Sequence, residues 1–275
     1  MYKPSLDGIR AVCIVFTLCN HIHGAPAFIN GGVGVDVFFA LSGFLITYLL
    51  VNEETALGRI DLKSFYIRRF FRIAPLYYLT VLLYFLSSHA LATYQPGHKS
   101  TAAFDNSLWW LLTFNKEYQS AAGDPGVFGH AWTLGIEEKF YIVWPLFVHW
   151  FGTRRNVLRA GAFSLLVVCV LWCLTSFSEL ALRGYAGLTF GSVVSIWIHR
   201  NQAVAKLFFE KRIASVALVG IVLAYAALLR NDTVWFNLLI SLFGAILVGS
   251  LWCNGNQRIG SFLSLAPIAG VGKLT

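Results

Sequence analysis

Eight long apolar runs dominate this chain, at residues 11–23, 33–51, 73–93, 132–151, 157–177, 184–198, 213–229 and 234–253. A lipid hydrocarbon core about 30 Å thick is crossed by about 20 apolar residues in helical form. A helix satisfies its own backbone polar groups, which the lipid cannot do. The runs therefore predict eight membrane-spanning helices, with a ninth beginning near residue 262. The stretch 104–115 is too short to span and predicts an interfacial or re-entrant piece. There are no repeats, low-complexity tracts or soluble linkers. The pattern predicts an all-α, polytopic transmembrane helix bundle of about eight or nine spans, forming a single integral-membrane domain over residues 1–275.

Polar residues inside the runs are the informative departures. Asp36 interrupts GGVGVDVFFALSGFLITYLL at 31–50. His21 and His23 close the first run, and Glu137, Glu138 and Lys139 sit in the fourth. An ionisable group in lipid is costly without a partner, so each of these is a functional-site hypothesis by default. For Asp36 the competing reading is a first-turn helix acid following Gly31, Gly32 and Gly34. The five cysteines (Cys13, Cys19, Cys169, Cys173 and Cys253) all fall in apolar runs and read as free thiols. Lys3, Arg10, the run that follows and Ala25-Pro26-Ala27 resemble a cleavable leader. The proline and the series of later spans favour an uncleaved first helix.

Composition agrees: 57% of residues are hydrophobic and 12% charged, where a soluble domain carries about 25%. The net charge of +8 suggests nucleic acid until its distribution is read. With the N-terminus placed in the cytoplasm, 15 of the 21 Lys and Arg fall on the inner side and 5 on the outer. This positive-inside bias accounts for the basic excess without nucleic acid. The same orientation puts His21, Asp36, Glu137 and Glu138 at one depth, near the outer side. Arg10 and His21 are eleven residues apart, so on a helix they share a face and lie about 16 Å apart along the axis. That arrangement suits an elongated anionic donor. Arg68, Arg69 and Arg72 could share one helical side and grip phosphate, although the positive-inside rule also accounts for an inner basic cluster. Trp109, Trp110, Tyr118 and Trp132 read as an interfacial aromatic belt, with sugar stacking as the alternative. Gly31, Gly32, Gly34 and Gly43 read as close-packing positions, with Ser42-Gly43 beside an acyl channel.

Four stretches, LDGIRAVCIVFTLCNH (6–21), GGVGVDVFFALSGFLIT (31–47), FYIRRFFRIAPLYY (65–78) and HAWTLGIEEKFYIVWP (130–145), together resemble the acyltransferase type 3 family of integral-membrane O-acyltransferases. The resemblance covers residues 6–145; beyond that, only hydropathy is similar. It implies a plasma-membrane enzyme that moves an acyl group, usually acetyl from acetyl-CoA, to a carbohydrate or lipid-linked glycan hydroxyl at the outer face. Acyl-CoA is then a donor substrate and not a resident cofactor, and no metal is required. The family's key positions map to His21, Arg10, Arg68, Arg69 and Arg72. His21 would be general base or acyl carrier, with Asp36 or Glu137 orienting its ring. The arginines would hold the CoA phosphates. Lys139 stands where the family more often has Gln. Family members also continue with further helices past the GKLT at 272–275, so the resemblance implies that C-terminal helices are missing here. The competing class is a permease using His21, Asp36 and Glu137 as a proton relay.

Overall fold

The computed structural model describes residues 3–22, 26, 29–94, 100–124, 126–151, 170, 178–209, 212–255 and 258–273. Among these the chain is helical and has no strand. The helices are α1 (Pro4–Cys19), α2 (Gly32–Leu57), α3 (Leu62–Tyr94), α4 (Ser100–Leu112), α5 (Lys116–Ala121), α6 (Trp132–Phe151), α7 (Glu179–Arg200), α8 (Gln202–Phe209), α9 (Ile213–Leu228), α10 (Val234–Cys253), α11 (Arg258–Leu263) and α12 (Ala266–Lys273). The expected span 157–177 lies outside the described residues, apart from Val170, as do His23, Cys169 and Cys173.

The helices α2, α3 and α7 extend past their apolar runs, because hydropathy senses lipid and backbone capping sets the ends. α3 begins eleven residues before its run, where Asp61 accepts hydrogen bonds from the Ser64 N–H (3.1 Å) and hydroxyl (2.6 Å). These bonds hold the exposed Asp61 carboxyl below its ordinary pKa. α2 continues to Gly58, whose φ of 72° ends the helix in the left-handed region that glycine adopts without penalty.

α1 departs further from its run. It starts at Pro4, a favourable first helical position, and ends at Cys19. Residues 5–9 are buried although they precede the apolar run, because α11 and α12 pack on them. A Cβ on Gly8 would overlap the Leu263 carbonyl, and one on Gly272 would overlap the Asp7 carbonyl.

α2 forms the centre of the bundle, and its interface with α7 is the largest. The two backbones touch: a side chain on Gly43 would strike the Leu188 carbonyl, and one on Gly191 the Ala40 carbonyl. A chain of buried hydrogen bonds runs from Trp144 Nε1 to Thr47 Oγ1 (2.8 Å) and on to Ser192 Oγ (2.8 Å), joining α6, α2 and α7. α3 and α9 instead expose leucine, valine and phenylalanine, for example Phe71, Leu83, Val219 and Leu223. That surface suits lipid.

Among the described residues, three helices qualify as membrane spans by length and composition (α2, residues 62–90 of α3, and α10), or four if α8 and α9 form one broken span. The bundle is thus a membrane-type all-α fold with at least three spans. α1 and α9 have only 16 residues each, and α6 carries Glu137, Glu138 and Lys139 in its first half.

Helices α4 and α5 occupy the region of the short apolar stretch. They are fastened to the bundle by the Tyr77 hydroxyl on the Leu111 carbonyl (2.8 Å) and by Lys139, which donates to the Phe114 carbonyl (2.7 Å) and pairs with buried Glu117. Lys116, also buried, donates to Gln119 (2.6 Å).

Candidate functional site

A cavity of about 550 Å³ lies among α1, α2, α3 and α6, with Trp252 of α10 at its edge. On α1 its wall runs through Arg10, Cys13, Ile14, Thr17 and Leu18, so Arg10 and Thr17 do share a face as the helical period requires. α2 faces it from Val35 through Phe38 and Ser42 to Tyr48. Thr133 lines the same cavity from the first turn of α6.

Three guanidiniums gather in the half of the cavity near Arg10. Arg10 is held by Asp7 one turn earlier at 2.9 Å. Arg69 lies over the Tyr141 ring, 4.0 Å from its centroid, a cation–π contact. Arg72 is in the electrostatic field of both Arg69 and Arg10. Glu137 projects among them, beside Arg69, Arg10 and the Ser42 and Tyr141 hydroxyls, which also bond to each other. Asp7, Glu137 and Glu138 are the carboxyls beside these guanidiniums. Arg69 Nε, Glu137 Oε1 and Glu138 Oε1 are buried without a hydrogen-bond partner. An unsatisfied buried guanidinium donor is suited to an anion.

Arg68 is the member of the Arg-Arg-x-x-Arg cluster that does not line the cavity. On the helical wheel Arg72 lies between Arg68 and Arg69, and the cavity takes the Arg69 side. Arg68 acts instead in the field of Asp61, at the start of α3.

The carboxylates correct the expectation drawn from depth. Asp36 is fully buried, receives hydrogen bonds from Arg183 (3.1 and 3.2 Å) and from Asn237 (2.9 Å), and so ties α2 to α7 and α10. Its partners are structural, and His21 is not among them. Glu137 likewise has the guanidiniums for neighbours. The direction each carboxylate takes around its helix axis was not legible in the sequence.

His21 lies two residues beyond α1, in a turn closed by its own N–H on the Leu18 carbonyl (3.0 Å). Its ring faces His130, with centroids 5.9 Å apart. His130 belongs to a single 3-10 turn, Gly129–Ala131, that leads into α6; Phe128 before it has a left-handed φ of 55° and its ring packs on His130 at 4.3 Å. Partial burial, and then the nearby His21, hold the His130 imidazole below its ordinary pKa. His130 opens the fourth family-like stretch, yet the sequence reading gave it no role. The available signal was its position at the mouth of a run antiparallel to the first. Thr17 and Thr133, each within one turn of these histidines, line the cavity. The cavity therefore extends from the arginine cluster along α1 to within a turn of the histidine pair.

A family model described as acyltransferase domain matches residues 3–275. The chain is 36% identical over 167 residues to the peptidoglycan O-acetyltransferase OatA of Listeria monocytogenes, covering 58% of this chain and 26% of that protein. It is 28% identical over 300 residues to the O-acetyltransferase OatA of Staphylococcus aureus, covering 99% of this chain and 48% of that protein. The chain thus spans about half, or less, of the length of these relatives. No solved structure matches it.

Proposed function

The chain belongs to the type 3 acyltransferase family, and on that premise we propose that it transfers an acyl group, in the simplest case acetyl, from cytoplasmic acyl-CoA to a hydroxyl of a cell-wall glycan outside the plasma membrane. The observation that carries this reading is the cavity along α1, cationic at Arg10, Arg69 and Arg72 and reaching Thr17 and Leu18, three to four residues before His21. The CoA phosphates bind the guanidiniums, and the pantetheine arm lies against Cys13, Ile14 and Thr17, bringing the thioester to the histidines. The His21 imidazole takes the proton of the acceptor hydroxyl as its oxygen adds to the thioester carbonyl. Collapse of the adduct breaks the C–S bond, and the imidazolium returns the proton to the departing thiolate, leaving the ester and free CoA. An acyl-histidine formed first and then attacked by the hydroxyl uses the same geometry.

The distribution of Lys and Arg supports a cytoplasmic N-terminus. The relatives' printed names support an acetyl group and, for the Listeria protein, a peptidoglycan acceptor. A proton-coupled permease is the weaker reading, because Asp36 is paired with Arg183 and Glu137 lies among Arg69, Arg10, Ser42 and Tyr141, so neither carboxyl joins His21 in a relay.

His21→Ala is expected to abolish surface-glycan acetylation, read by mass spectrometry, while membrane insertion persists. Near-normal product from that variant overturns the assignment. Accessibility labelling that places positions 10 and 21 in one compartment removes the transmembrane route.

A further inference from the structure

The end of the cavity opposite the histidines does not stop at the arginines. It is closed by two aromatic side chains from different helices, Tyr48 of α2 and Trp252 of α10, both lining the cavity and both half-buried. Their centroids are 4.2 Å apart and the rings are inclined at 55°, so they form an angled notch and not a flat stack. Phe44 supports Trp252 from behind at 5.5 Å, and His199 meets Tyr48 edge-on at 6.3 Å. Lys3 Nζ stands 5.7 Å from the Trp252 centroid. An interfacial aromatic belt turns its rings toward the lipid headgroups; this pair lines an internal cavity beside three guanidiniums.

Aromatic faces next to converging cations are what a purine nucleotide needs: the rings take the base, and the cations take the phosphates. We propose that Tyr48 and Trp252 form the subsite for the adenine ring of the acyl donor, with Lys3 serving phosphate on the ribose. This rests on acyl-CoA being the donor. It adds a division of the cavity into three zones: base at Tyr48 and Trp252, phosphates at Arg10, Arg69 and Arg72, and thioester near His21. The base then provides binding remote from the reacting carbonyl, which fixes the register of the arm along α1.

The test uses the full chain in lipid nanodiscs and compares acetyl-CoA with acetyl-pantetheine, which lacks the nucleotide. Trp252→Leu is expected to weaken acetyl-CoA binding about tenfold, the order of one base stacked on an aromatic ring. Use of acetyl-pantetheine should be unchanged. Adenosine 3′,5′-bisphosphate should compete with acetyl-CoA on the wild type and lose that competition in the variant. Trp252→Phe, which keeps a ring in place, should retain most of the affinity and controls for folding. Unchanged acetyl-CoA affinity in both Trp252→Leu and Tyr48→Leu overturns the subsite, as does an equal loss for both donors. A wild-type protein that does not bind acetyl-CoA overturns the donor assignment itself.

Discussion

His130 occupies the place beside His21 that depth alone had assigned to a carboxylate. Helical spacing and motif singled out Arg10, Arg69 and Arg72, which the structure brings to one cavity, and His21, which lies beyond the end of α1 and outside that lining. The sequence did not reveal His130, or the way Tyr141 and Ser42 frame Glu137, because those relations cross between helices. His130 also gives the site a pH dependence. Its folded pKa lies below the ordinary histidine value of 6.5, so below about pH 6.5 the unfolded chain binds a proton that the folded chain resists, and stability falls as pH falls. Wild-type protein should therefore lose more thermal stability between about pH 7 and pH 5.5 than His130→Gln does, measured as Tm in detergent. Parallel pH slopes would contradict this.

Helices α2 and α7 show what a buried ion pair does between elements. Their backbones meet at Gly43 and Gly191, and Asp36 with Arg183 fixes their register. Removing one charge leaves the other unpaired in the interior, at about 3–5 kcal/mol, whereas replacing both with apolar groups is often neutral. Arg183→Leu should thus lower resistance to unfolding strongly, and Asp36→Leu combined with Arg183→Leu should recover much of it, as read by thermal melts of the purified protein. A double variant worse than either single one would show that Asn237 and the local packing carry the lock. At this scale most helices were legible as apolar runs. The start of α1 was not, since residues 5–9 are buried by α11 and α12, which lie more than 240 residues further along the chain.

Across the whole molecule, the cavity runs from the guanidiniums along α1 to Thr17 and Leu18, short of the turn that carries His21. A bulky residue there should separate binding from transfer. Thr17→Trp is expected to keep acetyl-CoA affinity within about threefold of wild type while product formation falls at least tenfold. Unchanged product formation would mean that the arm does not pass this wall. The membrane character of the fold was legible from the sequence, and among the described residues three helices, or four with a broken span, have the length and composition to cross a bilayer.

The sixteen residues of α1 rise about 24 Å, against a hydrocarbon layer of about 30 Å. The turn that follows carries His21, and His130 faces it from the turn before α6. A bilayer crossed by so short a helix thins around it, and on the proposed function that thinning would bring the outer leaflet down toward the two rings. A hydrophilic acceptor can then arrive in water at a depth that would elsewhere be oil.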